Sequence, residues 1–198
     1  SGGIEHLLAD RAIQVLQVTS STAKSAYVDS LIEDAKAEGV RRRALQALAE
    51  LGEEMIMNAI FHAPVSSEGK RLYARTTRAA EVTLRSGEEA TLRWLIGERY
   101  IAISIQDPFG SLTAQEIMAR VTGETQKPDL EGNRAGAGMG LRIMSQAARH
   151  LFFAICPGTW CEVLALVERE PSSGSVARSV TILQGLGQRT RRIGDRLR

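Results

Sequence analysis

Apolar and polar positions along this chain switch repeatedly between a helical and an alternating period, and the switches predict a mixed succession of helices and strands. Ile4, Leu7, Leu8 and Ile13 recur at helical spacing up to about Leu16, after which Ile13 to Thr19 turns toward alternation and reads as a first strand. Ser20 to Glu38 is predicted as a second helix, with Ser and Thr available to cap it and Gly39 to stop it. Arg41 to His62 is the third, ended by Pro64. A polar loop, Val65 to Ala80, carries Lys70, Arg71, Arg75 and Arg78, and solvation is its ordinary explanation against docking of an acidic partner. Glu81 to Arg85, Thr91 to Ile96 and Tyr100 to Gln106 then alternate as strands of an antiparallel meander, the last two joined by a tight turn at Gly97-Glu98. A glycine-led helix, Leu141 to His150, precedes two more strands, Leu151 to Cys156 and Glu162 to Val167. The expected fold class is α+β: a two-layer α/β sandwich, with helices on one face of a mixed, mainly antiparallel sheet.

Three stretches carry candidate chemistry. Glu54, Asn58 and His62 stand four residues apart on the third helix, beside an apolar stripe of Leu45, Leu48, Met55 and Ala59, so the polar row faces the edge of a cavity. Asp107 lies where the third meander strand leaves the sheet, in Asp107-Pro108-Phe109-Gly110, and an acid there is placed to meet a ligand. Gly136-Ala-Gly138-Met139-Gly140-Leu141 opens the fourth helix; glycines let backbone approach a polyphosphate, and the free N–H groups of a helix start favour negative charge. No Gly-Lys-Ser/Thr follows these glycines, so they are no Walker loop, and no βαβ frame surrounds them as a dinucleotide fingerprint requires.

In this order, E-x-x-x-N-A-x-x-H on a helix, a strand ending in Asp-x-x-Gly, a polar segment, and G-x-G-x-G-L opening a helix resemble the GHKL ATP-binding (Bergerat) fold, over roughly Val15 to Glu168. The resemblance implies ATP and Mg2+ as cofactors. It implies Asn58 as the magnesium ligand and Glu54, one turn earlier, as the catalytic base or the group that orients the attacking hydroxyl. Asp107 would accept a hydrogen bond from the adenine amine, and Gly110, Gly136, Gly138, Met139, Gly140 and Leu141 would surround the nucleotide. Residues 111–135 would form a lid, and His62 closes the helix motif, as a nucleotide contact or a packed or capping histidine. The chain departs from the pattern at Phe109, where a bulky ring replaces the usual glycine. The threonine that supports the adenine contact in that family falls on Thr159 or on Cys161.

Length and composition fit one folded domain: 198 residues, 43% hydrophobic, with no apolar run near the ~20 residues of a membrane span. The net charge of +2 argues against a general polyanion binder and so against nucleic acid as the main partner. Cys156 and Cys161 read as reduced thiols of a cytoplasmic protein. The organisation expected is an N-terminal helix (1–14), the ATP-binding domain (15–168) and a basic tail (169–198) that begins Pro-Ser-Ser-Gly-Ser and ends in clustered arginines. The Ser-Gly-Gly start suggests a piece of a longer chain.

Within that superfamily the residues look closest to the anti-sigma-factor serine kinases, small versions without a phospho-accepting hairpin or large transducer domains. The resemblance then implies a serine/threonine protein kinase and partner switch in bacterial signalling or transcription regulation, whose partner is a sigma factor, an antagonist or another regulator, with a homodimer also plausible by analogy. The alternatives are the ATPase module of a longer histidine kinase and a non-catalytic ATP-binding sensor or scaffold.

Overall fold

The computed structural model describes residues 12–73, 76–122, 139–170 and 178–185. Its elements run β1 (Gln14–Val18), α1 (Lys24–Ala37), α2 (Arg42–Phe61), β2 (Ala90–Ile96), β3 (Tyr100–Asp107), α3 (Ala114–Thr122), α4 (Met139–Ala147), β4 (His150–Cys156), β5 (Trp160–Glu168) and β6 (Ser179–Gln184). The strands form one six-stranded sheet in the order β1-β2-β3-β5-β4-β6. All pairs are antiparallel except β4 with β6. The expected α+β two-layer sandwich is therefore the fold found.

Alternation along the strands decides which face the helices cover. Leu92 and Trp94 of β2, Ile101, Ile103 and Ile105 of β3, Ala165 and Val167 of β5 and Leu151, Phe153 and Ile155 of β4 all point into one core. From the helices the same core receives Leu31 and Ala35 of α1 and a broad stripe of α2, including Leu48, Leu51, Met55, Ile56 and Ile60. Among the described residues a second, small apolar group, Leu95, Ala102 and Leu164 with Ile13, Phe152 and Leu166, lies apart from it, at the other register of the same strands. Burial of the first set supplies the main stabilisation, at about 25 cal/mol per Å² of apolar surface removed from water. Trp94 keeps its indole N–H satisfied on Asp34 Oδ2 at 3.0 Å, which ties β2 to α1.

α1 stops where the glycine predicted. Gly39 takes φ +71°, its N–H reaches Lys36 O at 2.9 Å, and the next N–H, of buried Val40, reaches Ala35 O at 3.0 Å. That closure needs a left-handed residue.

Two expectations change. Residues 81–85 do not form a sheet strand: the free edge of β2 is taken by β1, whose Gln14 to Val18 pair with Trp94 to Ala90. The segment instead crosses the end of β1, with a single bridge from Thr83 to Ser20 and bonds from Ser21 N–H to Val82 O and Leu84 N–H to Thr19 O. Val82 and Leu84 are buried all the same, so the alternation reported burial rather than pairing. The second change is β6, a strand within the stretch read as a basic tail; Val180 and Ile182 pack on the core beside β4.

Candidate functional site

α2 positions the polar row. Its buried stripe clamps the helix to β3 and β5, which turns Asn58 and His62 toward a gap between α2, α4 and the ends of β3 and β5. The gap is a cavity of about 510 Å³, part of it open to solvent. Asn58, His62, Asp107 and Leu141 all line it, beside Arg71 and Arg120. Residues drawn from three separate sequence motifs thus meet in one place.

Asp107 ends β3, and its Oδ1 accepts the N–H groups of Phe109 at 2.9 Å and Gly110 at 3.2 Å. Burial raises its pKa to about 6, against the opposing pull of those two N–H donors. Among the described residues no donor is bonded to Oδ2. Across the β3–β5 ladder Asp107 is paired with Cys161, which also lines the cavity, whereas Thr159 sits in the β4–β5 turn. Of those two, Cys161 is therefore the residue beside the carboxylate. Its thiol pKa is raised by burial and by the neighbouring acids Asp107 and Glu162, which leaves it protonated.

Gly110 is needed for a steric reason. It holds φ +58°, and an added Cβ would stand 2.2 Å from Cys156 O and 2.9 Å from both the N and the O of Trp160. All three are backbone atoms, which cannot swing aside. Gly110→Ala should therefore cost at least about 3 kcal/mol of stability, measured by urea unfolding, and a loss below 1 kcal/mol would contradict this packing.

Glu54 is not on the cavity wall. Its carboxylate is gripped by Arg78, with Nη1 to Oε1 at 2.9 Å and Nη2 to Oε2 at 3.2 Å. It also lies against Gly140 at the start of α4, where a Cβ would stand 2.2 Å from Glu54 Oε2. Asn58 Nδ2 is 3.5 Å from the same point and is buried without a hydrogen-bond partner among the described residues. Leu141 is buried, while Met139 is exposed on the outer side of the helix start. Gly136 and Gly138 lie outside the described residues.

Sequence reading placed Arg71 and Arg78 in a loop that leaves the end of the motif helix, near the site, without giving them a role, and it missed Arg120 and the acid that organises two of these arginines. Thr113 and Glu116 form a capping box at the start of α3: Glu116 Oε2 accepts the Thr113 N–H at 3.1 Å, and Thr113 Oγ1 accepts the Glu116 N–H at 3.2 Å. The other oxygen, Oε1, binds Arg71 at 2.6 Å and lies 3.8 Å from Arg120. Arg71 also donates to His62 O at 3.1 Å. The T-x-x-E signature at Thr113 to Glu116 was the available signal, and it lay within the segment read as a lid, whose first half is this helix.

Burial, then the positive fields of Arg120, Arg78 and Arg71, lower the His62 pKa to about 4. The folded chain thus keeps His62 neutral while the unfolded chain takes a proton near pH 6.5. His62's contribution to stability is complete above that value and is lost as the pH falls to 4, by up to about 3 kcal/mol. Asp107 acts in the opposite sense, since its raised pKa favours the folded state below about pH 4 and this is lost as the pH rises through 6. Urea unfolding at pH 7 and pH 5 should show His62→Gln losing about 1–2 kcal/mol less than the wild type over that interval. Equal losses in the two proteins would show that His62 titrates as it does in the unfolded chain.

No protein-family model matches this chain, and no curated protein sequence matches it. Among solved structures, a chain of the SiaB–SiaC complex from Pseudomonas aeruginosa is similar, with a TM-score of 0.52 and 13% sequence identity over 78% of this chain and 88% of that one. At that identity the likeness establishes a shared fold. Among the described residues no helix is long and apolar enough to cross a membrane.

Proposed function

We propose that this chain binds ATP with magnesium in the cavity between α2, β3, β5 and α4, and acts as a serine/threonine protein kinase and partner switch in bacterial signalling or transcription regulation. The observation that carries the reading is the convergence of Asn58 and Asp107 on one cavity, from motifs 49 positions apart in the chain. Asp107 would accept the adenine amine on Oδ2 while Oδ1 stays bound to the turn.

The fit to magnesium rests on Asn58, whose buried amide has an unsatisfied end facing Gly140. Rotation of the amide exchanges Nδ2 for Oδ1, and an oxygen there suits a hard cation that keeps most of its other ligands from water and phosphate. Magnesium would neutralise phosphate charge in the transfer. Glu54, once free of Arg78, would accept the proton of the attacking hydroxyl. Arg71 and Arg120 add positive charge beside the cavity, which suits a polyanionic ligand.

The structural neighbour was solved as a complex of two proteins, which supports a protein partner for this fold. The test is transfer of label from the γ-phosphate of ATP to a protein captured with this chain from its own cells. Label on serine or threonine that disappears with Glu54→Ala is expected; label independent of Glu54 argues against the kinase. A second reading, an ATP-binding sensor without turnover, is favoured by one observation: the carboxylate of Glu54 is occupied by Arg78.

A further inference from the structure

The pairing of Glu54 with Arg78 is a poor arrangement for a base and a good one for a switch. Glu54 is largely buried, at 13% side-chain exposure, while Arg78, at 38%, comes from the loop after α2 and can leave. The carboxylate occupies a position with two attractions for an anion: the guanidinium fork and the start of α4 at Gly140. A phosphate group also carries negative charge and can offer two oxygens to the same arginine fork. Gly140 completes the case, because any side chain there would drive the Glu54 carboxylate out. The side-chain amide of Asn58, assigned above to magnesium, faces the same spot, so the terminal phosphates and their ion would arrive beside the Arg78–Glu54 pair.

We infer that Arg78 is a phosphate-responsive latch: it holds Glu54 in the empty protein and transfers to the terminal phosphates of the bound nucleotide, which releases Glu54 toward the reacting group. Glu54 and the nucleotide phosphates then compete for one cation, and catalytic competence appears only with a phosphate in place. Arg78 is a positioning residue in this account. The inference rests on the nucleotide reading above, and deepens it by naming what controls the base.

Competition has a thermodynamic sign that a fixed ion pair lacks. Entry of ATP must break the Arg78–Glu54 pair, so neutralising Glu54 removes that cost as well as its repulsion of phosphate. With Arg78 gone, only the repulsion remains to be relieved. A latch therefore makes Glu54→Gln more beneficial to ATP binding when Arg78 is present. A static pair gives the reverse, because a guanidinium that stays put screens Glu54 and leaves less repulsion to relieve.

The experiment is a calorimetric cycle on wild type, Glu54→Gln, Arg78→Gln and the double variant, titrated with a non-hydrolysable ATP analogue plus magnesium and, separately, with adenosine. Unfolding curves establish that each variant is folded, and Arg78→Lys, which keeps the charge without the fork, stands in should Arg78→Gln unfold. Glu54→Gln is expected to tighten the analogue roughly three- to tenfold with Arg78 present and by less in the Arg78 variant, with adenosine unchanged throughout. An equal or larger gain in the Arg78 variant, or parallel changes with adenosine, overturns the latch while leaving the nucleotide site intact. Absence of binding of both the analogue and adenosine to the wild type overturns the site and the latch together.

Discussion

Glu54→Ala is expected to reduce phosphoryl transfer by about 10²- to 10⁴-fold while nucleotide binding persists, because a positioned base contributes on that scale and acts on the attacking group rather than on the nucleotide. The side chain lies one turn before Asn58 and against the start of α4, held there by Arg78. Steady-state transfer to the partner protein, alongside calorimetry with ATP, separates the two quantities. A variant that transfers phosphate at the wild-type rate would remove Glu54 from the chemistry. A variant that loses binding and transfer together would mean that the carboxylate supports the pocket instead.

Asp107→Asn should weaken adenine nucleotides about tenfold to a hundredfold, for a reason specific to this turn. Oδ1 is committed to the N–H groups of Phe109 and Gly110. An asparagine must keep its oxygen there, which places Nδ2 in the position of Oδ2 and sets a donor against the donor amine of adenine. The loss of affinity should come without loss of fold. Burial raises the Asp107 pKa to about 6, so ionisation at neutral pH opposes folding and a neutral amide removes that opposition. Thermal unfolding of the empty variant at pH 7.5 should therefore be no lower than wild type, while ATP affinity falls. A variant that binds ATP normally would exclude Asp107 as the adenine contact.

The parts of this structure legible in the sequence are those that one period or one residue type determines. The stripe of Leu45, Leu48, Met55 and Ala59 on α2 and the alternation from Ile101 to Ile105 announced a helix layer and a strand, and these residues do meet in the core. Gly39 marked a helix stop because its closure needs positive φ. Strand pairing was less accessible. Val82 and Leu84 alternate as a strand does, yet which chain takes the edge of β2 is settled by β1, some seventy residues earlier, and no local pattern carries that competition. β6 was hidden for a different reason: Val180 and Ile182 follow a Pro-Ser-Ser-Gly-Ser stretch and precede clustered arginines, so composition overrode a short alternation.

The candidate site divides in the same way. Asn58, His62, Asp107 and Leu141 were visible as spaced polar and apolar signals, and they share a cavity. Arg71, Arg78 and Arg120 were visible only as charges in polar segments, for which solvation is the usual explanation. Their roles follow from tertiary placement: Glu116, fixed by its capping box, draws in Arg71 and Arg120, and Glu54 draws in Arg78. Gly140 looked like one glycine of a phosphate turn, whereas the space it leaves is filled by the Glu54 carboxylate. Such a relation between two motifs some eighty residues apart is a property of the folded chain.

The central claim is an adenine-selective nucleotide site, and calorimetric titration of the purified chain with ATP and with GTP, each with magnesium, tests it most directly. Saturable one-to-one binding of ATP is predicted, with GTP at least about tenfold weaker because the exocyclic carbonyl oxygen of guanine would meet the Asp107 carboxylate where adenine offers an amine. Equal heats for the two nucleotides, or none for either, would rule out an adenine-selective site at Asp107.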